Sequence, residues 1–151
     1  MVLVAPVLIE QRHSKQMGLK TLRWRYDMKH YVDWQEVERY IKQVQNRFVG
    51  KVNGVYGLPR GGLVLATMIS HRLDIPLLMA PHKGCLIVDD ICDSGESLLH
   101  YKKNSSGDTK TDYTITTMYY KDNDLKVEPD FHMFMKGDLW IVFPWENKEE
   151  E

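Results

Sequence analysis

Two adjacent carboxylates close an apolar run at Leu86-Ile87-Val88-Asp89-Asp90, and after Ile91 and Cys92 comes a turn of hydroxyls and glycine, Asp93-Ser94-Gly95-Glu96-Ser97. A strand that feeds such a turn and then a helix aims backbone N–H groups and hydroxyls at one point, where the helix N-terminus favours an anion. The carboxylates beside that point accept hydrogen bonds from a sugar diol. The chemistry implied is recognition of a sugar phosphate. Any two of these residues would pass for an ordinary turn with solvated aspartates, but residues 86–97 taken together point to a ligand. Isoprenoid synthases also use an Asp-Asp-x-x-Asp spacing, yet they are large and all-helical, whereas this pair ends a β-type run in a chain of 151 residues. Upstream, Gly57-Leu58-Pro59-Arg60-Gly61-Gly62-Leu63 offers glycines that let backbone approach a ligand and one guanidinium to supply charge, although a plain turn explains that stretch alone about as well.

The elements that must hold these residues are readable from spacing. Asp33 with Glu36 reads as an N-cap and its capping-box partner, and Val37, Tyr40, Ile41, Val44 and Phe48 recur at helical spacing up to Gly50. Residues 52–56 read as a strand, 57–62 as a turn, and 63–73 as a helix with Leu63, Ala66, Thr67, Ile69, Ser70 and Leu73 toward its packed side. Residues 76–80 read as another strand. The run 85–88 suits a strand buried on both faces of a parallel sheet. A short helix over 95–102, a polar loop over 104–110, a strand over 113–120 and two further β segments, 131–135 and 139–143, complete the chain. Strands alternating with helices predict a doubly wound α/β sheet, whose ligands sit beyond the strands' carboxyl ends.

Composition bounds the rest. Lys plus Arg is 20 and Asp plus Glu is 21, a net charge of −1, which disfavours general binding to nucleic acid or anionic membrane. The length supports one domain. Residues 1–9 are apolar but far short of the ~20 needed to span a bilayer, and neither a basic lead nor a small-residue cleavage site accompanies them. They read as an added strand or packed arm, with residues 1–32 as an N-terminal extension, 33–147 as the folded domain and 148–151 as an acidic tail. Residues 10–30 mix basic and aromatic side chains and read as a solvated face. Cys85 and Cys92 make no disulfide framework and no zinc spacing, so a reducing, cytoplasmic setting is expected. No histidine accompanies Cys92 in its motif, which argues against thiol catalysis, and His100 and His132 read as packing or surface residues.

Residues 86–97 resemble the phosphoribosyl-diphosphate signature of the type I phosphoribosyltransferases, which is four apolar residues, two acids and Asp-Thr-Gly-x-Thr. Serine stands here at both threonine positions. Residues 57–63 resemble the family's diphosphate loop, with the Pro59 to Arg60 bond where an unusual cis peptide is often found. Asp138-Leu139-Trp140-Ile141-Val142-Phe143-Pro144-Trp145-Glu146 is similar to the hood of the small bacterial xanthine-guanine and hypoxanthine enzymes. The resemblance spans roughly residues 33–147 and implies a mostly parallel twisted sheet flanked by helices, with a small C-terminal hood.

The resemblance also implies roles. Asp89 and Asp90 would hold the ribose diol and orient Mg2+, with Glu146 helping through water. Asp93 would be the general base, and Asp93, Ser94, Gly95, Glu96 and Ser97 would bind the 5′-phosphate. Pro59, Arg60, Gly61 and Gly62 would take the diphosphate, while Lys121, Trp140 and the backbone around Ile141 would hold the purine. The partners implied are phosphoribosyl diphosphate and a 6-oxopurine, in a homo-oligomer, dimer or tetramer, that binds neither nucleic acid nor membrane. Two departures stand out. The family's long mobile loop before the signature strand is replaced by residues 81–84 alone, and Val142 stands where guanine and xanthine enzymes commonly carry an acid, which favours hypoxanthine. The short loop keeps an alternative open, a regulator of the same fold that binds a nucleotide and turns it over weakly or not at all.

Overall fold

The computed structural model describes residues 28–103, 113–122 and 126–146. The apolar run 1–9, most of the basic and aromatic stretch, the polar loop 104–110 and the acidic tail lie outside them.

Four parallel strands form the main sheet in the order β2 (Val55–Gly57), β3 (Leu86–Cys92), β4 (Thr114–Tyr120) and β5 (Phe131–Met135). The continuous apolar content of β3 follows from burial on both sides, since Leu86, Ile87 and Val88 are fully covered. On one face, α1 (Trp34–Phe48) contributes Val37, Tyr40, Ile41, Val44 and Phe48, all buried as their spacing predicts. There α2 (Gly61–Leu73) adds Leu65, Ala66 and Ile69. On the other face, Leu98 of α3 (Glu96–Lys103) packs with Ile87, Ile115 and Val127. The capping box of α1 forms as read, with the Glu36 amide donating to Asp33 Oδ1 at 2.7 Å and the Asp33 amide to Glu36 Oε2 at 3.4 Å.

Several expectations need correction. The run 76–80 is no strand; it reaches β2 through one bridge, Val55 to Leu77, closed by the Val55 amide to Pro76 O at 2.9 Å and the Leu78 amide to Val55 O at 2.7 Å. That bridge still fixes the topology. After α2 the chain passes on one side of β2, and β3 then returns on the other, so the connection reverses at β2 and β3, where a crevice opens beyond the strand ends. Helix α2 begins at Gly61, and its Ala66 and Ile69 are buried and Leu73 packs on the core as expected, but Leu63 is 43% exposed, and Thr67, also exposed, donates to Leu63 O. The cause is Gly62, which sits so tightly on β3 that a Cβ there would lie 2.2 Å from Val88 O.

The aspartate pair does not follow the apolar strand but lies within β3. The hood is a separate two-stranded parallel sheet of β6 (Trp140–Val142) with β1 (Lys29–Tyr31), a strand not expected from the sequence. Residues 29–32, read as the end of an arm, are thus built into the fold, and Val32 is buried in the main core. Among the described residues no helix is long and apolar enough to cross a membrane.

Candidate active site

The loop after β2 and the end of β3 interlock. The Leu58 amide donates to Val88 O at 2.9 Å, and the Pro59–Arg60 peptide is cis, at the bond where it was expected. A Cβ on Gly61 would fall 1.8 Å from Asp90 Oδ2, so only glycine leaves room for the Asp90 carboxylate. The Gly62 amide is engaged within the turn, donating to Leu58 O at 3.0 Å. Gly62 therefore serves packing, and Arg60, exposed at the start of α2, is the cation of this loop.

Asp89 and Asp90 stand side by side, half-buried. Burial pushes the Asp89 carboxyl up to about 8, and the neighbouring Asp90 charge adds to the rise. Burial raises Asp90 as well. Asp89 Oδ1 accepts the Asp90 amide at 3.0 Å, Asp90 Oδ1 accepts the Ile91 amide at 2.7 Å, and Ser97 Oγ lies 3.5 Å from Asp89 Oδ2. Two acids strained toward neutrality on a cleft wall are what ribose hydroxyls or a divalent cation would relieve.

The turn over residues 93–97 leads into α3. Gly95 takes φ +71°, where a side chain is disfavoured, and a Cβ would lie 2.5 Å from Val127 O. The Glu96 amide donates to Ser94 Oγ at 3.3 Å. Residues 126 and 127 brace this turn, a role sequence reasoning missed: the Lys126 amide donates to Ser94 O at 3.0 Å, Lys126 pairs with Glu96, and Cys92 Sγ donates to Val127 O at 3.5 Å. Burial and then the Asp89 and Asp93 charges push the Cys92 thiol up to about 11, so it stays protonated and inert.

Lys121 is tied to the end of β3, and Trp140 belongs to the hood strand β6. The Lys121 amide donates to Cys92 O at 2.9 Å, and its ammonium lies 3.4 Å from Asp138, which is almost fully exposed. The Trp140 ring is 67% exposed, free to stack on a planar ligand. Ile141 differs: its side chain is buried in the main core, so only its backbone is available to a ligand. Glu146 is engaged with its own turn. Its Oε2 accepts the Phe143 amide at 2.8 Å and its own amide donates to Phe143 O at 3.1 Å, which closes the Pro144-Trp145 turn.

With this geometry described, comparison with known proteins places the chain. The xanthine-guanine phosphoribosyltransferase of Idiomarina loihiensis is 23% identical over 150 residues, covering 82% of this chain and 90% of its own. The enzyme of that name from Cereibacter sphaeroides is 28% identical over 77% of this chain and 86% of its own. Among solved structures, the purine phosphoribosyltransferase of Pyrococcus horikoshii superposes with a TM-score of 0.68 at 28% identity, covering 82% of this chain and 97% of its own. The Helicobacter pylori xanthine-guanine-hypoxanthine phosphoribosyltransferase shares the fold with a TM-score of 0.63 at 22% identity, over 78% and 93% of the two chains. No family model matches. The fold is that of the type I purine phosphoribosyltransferases, and the chain is similar to them in sequence.

Proposed function

We propose that this protein transfers the 5-phosphoribosyl group from phosphoribosyl diphosphate to a 6-oxopurine, giving the nucleoside 5′-monophosphate and diphosphate. The observation that carries the reading is the interlock of Gly61 with Asp90. It sets an anion-binding loop and a pair of strained acids against each other at the sheet's reversal point. Breaking the anomeric C–O bond releases diphosphate, the purine nitrogen forms the new C–N bond, and the proton of that nitrogen passes to Asp93. The sugar is oxocarbenium-like between these events, so positioning and charge stabilisation account for most of the acceleration. Arg60 and Gly61 hold the departing diphosphate. Residues 93–97 hold the 5′-phosphate, Asp89 and Asp90 the ribose hydroxyls, and Lys121 faces the 6-oxo group of a base stacked on Trp140.

Mg2+ fits the aspartate pair, because a positive charge offsets both burial and mutual repulsion. Among the described residues no three His, Cys, Asp or Glu side chains gather to hold an ion, which suits a cation carried largely by substrate oxygens, with Asp89 and Asp90 as the protein's contribution. When bound, it would neutralise charge on the diphosphate.

The test is incubation with Mg2+, phosphoribosyl diphosphate and each of hypoxanthine, guanine, xanthine and adenine. Release of diphosphate that requires a 6-oxopurine is the expected result, with hypoxanthine accepted in keeping with Val142. Tight binding of the donor without release would favour the regulator that the short loop over 81–84 leaves open.

A further inference from the structure

Lys136, at the end of β5, had no role in the sequence reading, yet its ammonium reaches the proposed general base. Nζ lies 3.3 Å from Asp93 Oδ1 and donates to Leu139 O at 3.3 Å. The lysine side chain is only 12% exposed while that of Asp93 is 62% exposed, so the cation is sunk in the protein and the acid it grips is open to a ligand. Its backbone is equally fixed, the Lys136 amide donating to Tyr120 O at 2.9 Å. The carbonyl it holds belongs to Leu139, immediately before Trp140. A compact ammonium with these partners secures one carboxylate oxygen and leaves the other to the substrate.

We propose that Lys136 is a positioning residue, which clamps Asp93 Oδ1 so that Oδ2 is presented to the ring N–H of the purine beneath the hood. This rests on the transferase reading above. An unclamped Asp93 rotates among rotamers in an open cleft, and misplacement of a reacting group lowers turnover more than it weakens binding. The lysine acts through the Asp93 carboxylate and leaves the Ser94, Gly95, Glu96 and Ser97 contacts to the 5′-phosphate untouched.

Lys136→Met keeps the length of the stem and removes the charge. With the wild type active, the variant is expected to lose about tenfold in kcat, with KM for phosphoribosyl diphosphate within about twofold of wild type, while Lys136→Arg recovers most of the loss. In an Asp93→Asn background, Lys136→Met is expected to cost nothing more. Unchanged kcat, a raised KM for the purine with kcat intact, or an additive loss in the Asp93→Asn background would each overturn the role. If Lys136→Met fails to fold, as judged by thermal melting, Lys136→Gln carries the same comparison. A wild type that releases no diphosphate with any base overturns the transferase reading and this role together, whereas an active wild type indifferent to the lysine overturns the role alone.

Discussion

Asp89 folds with its carboxyl pushed up to about 8 from an ordinary 3.8, and this has a cost in stability that depends on pH. An acid raised in the folded state binds more protons folded than unfolded. The stability it costs is absent below the unfolded value and grows as pH rises from about 4 to about 8, where the folded protein loses that proton. Asp89→Asn keeps the shape and removes the titration. It is expected to melt close to the wild type near pH 4 and several degrees above it at pH 8.5; an equal offset at both pH values would contradict the assignment. The same variant should lose turnover, because a neutral amide cannot hold the ribose hydroxyls as acceptor on both atoms. The two loop glycines separate function from folding. At Gly61 an added methyl meets the end of the Asp90 side chain, which can swing aside, so Gly61→Ala should fold and raise KM for the donor by about tenfold or more. At Gly62 it meets the backbone at 2.2 Å from Val88 O, so Gly62→Ala should instead lose about 2 kcal/mol or more in thermal melting, whatever its kinetics.

Helix α1 shows what an element makes legible and what it hides. Its start is written in Asp33 and Glu36 and its buried stripe in five apolar positions, all local signals. Asp33→Ala removes the side-chain half of the box and should cost about 1 kcal/mol, a drop of about 2–4 °C, with kcat unchanged and Asp33→Asn restoring most of it; a variant that melts like the wild type would show the cap contributes nothing. The β3 signature was equally plain, since burial on both faces demands unbroken apolar side chains. What the sequence concealed lay in long-range partners. Strand β1 is Lys29-His30-Tyr31, without alternation or apolar content, and exists because β6, more than 100 residues later, pairs with it. Residues 76–80 have strand composition but meet β2 at one residue pair, for which no local pattern gives warning. Leu63 and Thr67 of α2 face outward against expectation because a glycine's closest packing leaves no apolar mark, and the parts of Lys136 and Val127 are hidden because an ion pair and a backbone brace need the folded chain to be seen. Of the site residues, Gly61 and Asp90 are brought together and Lys121 is tied to the end of β3, while Glu146 is taken up by its own turn.

At the scale of the whole molecule, the connection from α2 to β3 decides how far the site can be shielded from water. Beyond the single bridge at Leu77 the chain reaches β3 in the eight residues 78–85, with Met79 almost fully exposed and the Asp93 carboxylate largely exposed. A closing loop excludes water from an activated sugar and strengthens every charge interaction inside the site. Where the chain supplies no longer a connection than this, water competes with the purine for the anomeric carbon. The expected consequence is uncoupled turnover: with donor, Mg2+ and no purine, diphosphate release proceeds at a measurable rate and yields ribose 5-phosphate. With a purine present, nucleotide formed falls short of diphosphate released, by on the order of one turnover in ten. Parallel measurement of diphosphate and nucleotide on one sample checks this. Ratios of one to one under all conditions would mean that the site is closed during catalysis by something other than the 81–84 turn. The shortfall should also widen in Trp140→Ala, since the exposed ring is the part of the hood that a bound base would share, and losing it admits water to the face the base leaves uncovered.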